Sequence, residues 1–95
     1  MTNYQEKLKS LILEAVDLGN SNAIVVYQYL LNFEPATSID DVGAYLHTTD
    51  AICYDLSELL DLELSYVSNL MINAGYSIAC DKKDDYVPGW LMKRV

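Results

Sequence analysis

The sequence predicts a mainly α domain of five short helices followed by a C-terminal β-hairpin. Apolar residues recur at helical spacing up to Gly75. Cap and turn formers interrupt them at Gly19-Asn20, Glu34-Pro35, residues 47–50 and residues 81–85. Two short β-like runs flank the last of these breaks. At 95 residues the chain makes one domain. It divides into an N-terminal helical pair over residues 1–34 and a second part over residues 35–95. A chain of this size buries roughly 60–65% of its unfolded surface, enough for one core.

The first helix is expected over about residues 4–18, with Leu8, Leu11, Ile12, Ala15 and Val16 inward. Asn3 and Glu6 resemble a capping box, and Gly19 is placed as the C-terminal cap. The second is expected over about residues 22–33, capped by Ser21 and stopped by Pro35. Ile24, Val25, Val26, Tyr27, Tyr29, Leu30 and Leu31 make it apolar on nearly all sides, so it is either central to the core or part of a subunit interface. The expected interface is a homodimer through Val25, Tyr27 and Tyr29. A third helix is expected over about residues 39–46, capped by Ser38 with Asp41 in the capping-box position. A fourth is expected over about residues 52–62, with Ile52, Leu56, Leu59, Leu60 and Leu62 as its apolar positions, and a fifth over about residues 65–74, ending at Gly75. The hairpin strands are then residues 76–80 and 86–92, joined by the polar turn 81–85.

Composition narrows the function classes. An apolar content of 52% with eight tyrosines argues for a folded protein rather than an acidic disordered tail. The first eight residues lack a signal-peptide pattern, and the longest apolar run, residues 23–31, is too short to span a bilayer. A cytoplasmic protein with no membrane association is expected. Cys53 and Cys80 lie outside any CxxC motif and are expected as free thiols. No P-loop, GxGxxG or GxSxG is present. His47 is the single histidine, with Cys53 as the nearest thiol in sequence. That pair lacks the further ligands of a metal site, and the turn acids Asp81, Asp84 and Asp85 lack EF-hand spacing. The expectation is a non-enzymatic protein without a cofactor or metal.

From residue 39 onward, two short helices, a glycine after the second and a hairpin follow one another. Residues 55–62 form the first helix of this unit, and residues 66–71 lie in its would-be recognition helix. Ala74-Gly75-Tyr76-Ser77-Ile78 leads into a wing, and Val87-Pro88-Gly89-Trp90-Leu91-Met92 returns from it. This order resembles the winged helix-turn-helix of phage or mobile-element type, found in bacterial and phage regulators and in the C-terminal modules of phage-type primases. The resemblance implies a DNA-binding shape.

Charge departs from that pattern. Net charge is −8, and between Lys9 and Lys82 there is no lysine or arginine. That interval holds Glu14, Asp17, Glu34, Asp40, Asp41, Asp50, Asp55, Glu58, Asp61, Glu63 and Asp81. Phosphate neutralisation by Lys and Arg supplies most non-specific DNA affinity, so direct nucleic-acid binding is not expected. Helical spacing of Asp55, Glu58 and Asp61 predicts one acidic face, with Asp50, Glu63, Tyr54 and Tyr66 beside it as a surface expected to meet a basic, nucleic-acid-binding protein. The expected function is an acidic regulator or inhibitor of a nucleic-acid-handling machine. The implied classes are host-takeover, anti-restriction and anti-CRISPR proteins, including DNA mimics. One alternative is a sequence-specific repressor reading bases through Ser68 and Asn69 (with Tyr66) and phosphates through Lys82, Lys83, Lys93 and Arg94. The other is a dimerising assembly module.

Overall fold

The computed structural model describes residues 3–57, 61–80 and 88–94. Those residues form four helices and a four-stranded antiparallel sheet, a mixed α/β fold rather than five helices and a hairpin. Helix α1 (Asn3–Asp17) ends as the glycine predicts. Gly19 takes φ +67°, its N–H bonds Val16 O at 3.1 Å, and the next N–H, from Asn20, bonds Ala15 O at 2.9 Å. That pair of bonds satisfies two carbonyls at the helix end. Asn20, not Ser21, caps α2 (Ser21–Leu30): its Oδ1 accepts from Ala23 N at 3.3 Å.

The third expected helix is absent. Residues 36–44 form turns, and residues 45–47 form strand β2 (Tyr45–His47). The would-be cap groups make turn bonds instead: Ser38 Oγ accepts from Asp40 N at 3.2 Å, and Asp41 Oδ2 accepts from Thr37 N at 3.4 Å. Such local bonds compete with helix formation. Gly43 at φ +79° then turns the chain toward the sheet. An isolated segment this short gains little from helix propagation, and pairing with a buried strand prevails. Pro35, expected only to stop α2, lies in strand β1 (Phe33–Pro35). As an edge-strand residue it has no N–H to offer a neighbour.

Helix α3 (Thr49–Asp55) starts earlier than expected because Thr48 Oγ1 accepts from Ala51 N at 3.1 Å. It also ends seven residues sooner than the expected Leu62. Helix α4 (Leu64–Asn73) matches its expectation closely and ends on Gly75 at φ +96°. There Gly75 N bonds Ile72 O at 3.0 Å and Tyr76 N bonds Met71 O at 3.1 Å. Strands β3 (Ile78–Cys80) and β4 (Pro88–Arg94) pair antiparallel as the expected hairpin, whose turn lies outside the described residues.

β4 is the centre of the sheet. On one edge it pairs with β2, Tyr45 opposite Met92 and His47 opposite Trp90. On the other edge its first half pairs with β3 and its second half with β1. Leu91 joins the two, taking Ser77 O on its N–H at 2.9 Å and giving its carbonyl to Ala36 N at 3.1 Å. The core lies between this sheet and the helices, with Leu8, Val26, Leu30, Ile52, Val67, Met71, Trp90 and Met92 fully buried. α2 packs on α1, α4 and β1, which makes it the central helix.

Candidate functional site

The unit β2–α3–α4–β3–β4 presents the surface on which the sequence places its binding residues. α4 buries Val67, Leu70 and Met71, which leaves Ser65, Asn69 and Ile72 at i, i+4 and i+7 as its outward stripe. No residue of α4 is charged. Leu64 and Ile72 are about half exposed, and Ile78 of β3 is 58% exposed. Ser68 does not belong to this open face. Its hydroxyl lies 3.3 Å from Thr49 Oγ1, which in turn accepts from the buried Trp90 Nε1 at 2.9 Å. The chain of three ties α4, α3 and β4 together. Tyr66 likewise reaches back, donating to Asn20 Oδ1 at 2.9 Å.

The acidic residues fall into two groups. Asp61 and Glu63 precede or cap α4, and with Asn22, Leu62 and Tyr66 they line a shallow cleft of about 220 Å³. Asp50 and Tyr54 share one face of α3 at i and i+4, and Tyr54 is 79% exposed. Because α3 stops at Asp55 and Asp61 follows in irregular chain, the expected helical face through Asp55, Glu58 and Asp61 does not form. Glu58 lies outside the described residues.

Asp55 is engaged elsewhere. Its Oδ2 accepts from Tyr29 Oη at 2.6 Å and lies 3.0 Å from His47 Nε2. The Tyr29 bond, with help from His47, holds the Asp55 carboxyl below the usual carboxylate range. Burial, then the same carboxylate, pushes the Tyr29 hydroxyl up. Sequence reading missed this node, since its members are 26 and 8 residues apart and carry no spacing signal. Among the described residues no hydroxyl or thiol bonds the other ring nitrogen of His47, so the node joins α2, β2 and α3 without the geometry of a nucleophile pair. Among the described residues no hydrogen bond joins Cys53 to His47. Burial and Asp50 raise its thiol, so it stays protonated at neutral pH.

Of the expected cationic set, the structure describes Lys93 and Arg94. Lys82 and Lys83, with the acids of their turn, lie outside the described residues. Lys93 is 3.5 Å from both Glu34 and Asp41, and Arg94 lies over the Phe33 ring at 5.7 Å. Both sit at the far end of β4, about 20 Å from Pro88 at the rise of an extended strand. The expected dimer residues are also committed within the chain. Tyr27 is buried, Val25 packs against the core, and Tyr29 holds Asp55 and meets the Phe33 ring at a tilt of 48°, 5.1 Å between centroids.

Among the described residues no group of three potential metal ligands converges, and no helix is long and apolar enough to cross a membrane. Comparison with protein-family models, curated proteins and solved structures gives no match.

Proposed function

We propose that this chain is a non-enzymatic, protein-binding regulator or inhibitor of a nucleic-acid-handling machine, on a frame of the winged helix-turn-helix kind. The frame is supported by strand order: β2, two helices, then a hairpin whose second strand returns between β2 and β3. One observation carries the function. The helix in the recognition position is uncharged and exposes Ser65, Asn69 and Ile72, with Asp61 and Glu63 at its start. Such a surface repels a phosphate backbone and suits a protein that brings an apolar contact and a basic rim.

Fluorescence anisotropy against random duplex DNA near physiological salt tests this directly. Non-specific DNA-binding proteins typically show Kd of about 10⁻⁴–10⁻⁶ M, and this chain is expected to bind more weakly than that range. Micromolar binding to random duplex overturns the proposal and returns the repressor reading, led by Lys82 and Lys83. On the protein side, Asp61→Lys with Glu63→Lys is expected to weaken the complex with its partner at least about tenfold, and raised salt to weaken the wild-type complex.

A further inference from the structure

The outer face of α1 is unaccounted for by the proposed function. Leu8 and Ala15 are buried, yet Leu13 is 66% and Val16 55% exposed on a helix whose other side is core. Lys9, Leu13 and Asp17 recur at i, i+4 and i+8 and form one outward row. Glu6 in its first turn suits the dipole of this helix, but the carboxylates at its C-terminal end run against it. Lys7 and Lys9 lie in its first half, Glu14 and Asp17 in its second, and its last turn has no basic residue. Lys7 has a use within the chain, since its Nζ reaches within 3.6 Å of the position a Cβ would take on Gly75, at the C-terminus of α4. Lys9 and Asp17 have no ion-pair partner among the described residues.

We propose that α1 is a self-association face, on which two copies of this chain pair their first helices antiparallel about a two-fold axis at Leu13. In that register each Lys9 meets the second copy's Asp17, because both lie four residues, about 6 Å, from the axis on opposite sides. Leu13 packs on Leu13, with Val16 beside it. A parallel arrangement would set Lys9 against Lys9. The antiparallel one also opposes the two helix dipoles, so the charge placement that costs a lone α1 becomes favourable. A two-fold contact of this kind is self-complementary by construction. One helix of 15 residues offers a small interface, below the roughly 1,200 Å² of stable complexes, so the association is weak and concentration-dependent.

Sedimentation equilibrium from about 10 to 300 µM is the test, with far-UV circular dichroism confirming that each variant folds. The wild-type mass is expected to climb from 10.7 kDa toward twice that value. Leu13→Glu is expected to weaken association at least about tenfold, by placing two carboxylates at the axis. Lys9→Glu alone and Asp17→Lys alone are each expected to weaken it about two- to fivefold, and the double variant to restore it, because exchange of the charges rebuilds both pairs. A monomer mass throughout overturns the proposal. So does a dimer insensitive to Leu13→Glu, or a double variant no tighter than either single one.

Discussion

Asp55 holds two neighbours with one oxygen, and its energetics follow from that. Its folded carboxyl titrates below the ordinary value of 3.8, so the contribution of the node is fully present above that value. It is lost as pH falls through the lower folded value. The side chain is 41% exposed, so solvent screening reduces the gain. Asp55→Asn is expected to cost about 1 kcal/mol at pH 7 after that discount, and less at pH 3, below the ordinary carboxylate value. Urea unfolding at the two pH values checks the sign. Thr49 offers a sharper case. Thr49→Val removes the acceptor of the buried Trp90 N–H, and leaving such a donor unpaired costs about 1–3 kcal/mol. Trp90 is the single tryptophan, so its fluorescence reports the unfolding midpoint without another probe.

At the scale of elements, Gly89 sets how closely two strands approach. A Cβ there would stand 2.9 Å from Leu46 Cβ and 3.3 Å from His47 N. Neither atom can swing aside, so Gly89→Ala is expected to push β2 off β4 and to destabilise by about 1–3 kcal/mol. Thermal unfolding measures it, and loss of the Leu46 and His47 amides from slow hydrogen exchange locates it. The helices show what was legible beforehand. α1 and α4 were readable because each has a full apolar stripe and a glycine at the end, signals that act within a few residues. The helix expected over residues 39–46 was misread because Ser38 and Asp41 carry the same polar groups whether they cap a helix or close a turn. What decided between them was Leu91 and Met92, about fifty residues away in sequence, which no local pattern reveals. Likewise the acidic face was inferred by extending α3 to Leu62, although the helix ends at Asp55. That Asp61, Glu63 and Tyr66 line one cleft was not legible, since it depends on how the chain enters α4. The Tyr29–Asp55–His47 node could not be read at all, since it joins three elements.

For the whole molecule, net charge and apolar surface decide what it can meet. With −8 on 95 residues the folded chain repels itself, so raising salt is expected to stabilise it slightly while loosening any basic partner. The position of β4 carries a different consequence, one of timing. All three strands that bond to it precede it along the chain, and among the described residues none of the three is paired with another. During synthesis, then, β1, β2 and β3 leave the ribosome before the strand they pair with. Only when residues 88–94 leave the exit tunnel can the sheet close. Until that moment three segments lack their strand partner, and a chaperone or a neighbouring nascent chain can reach them.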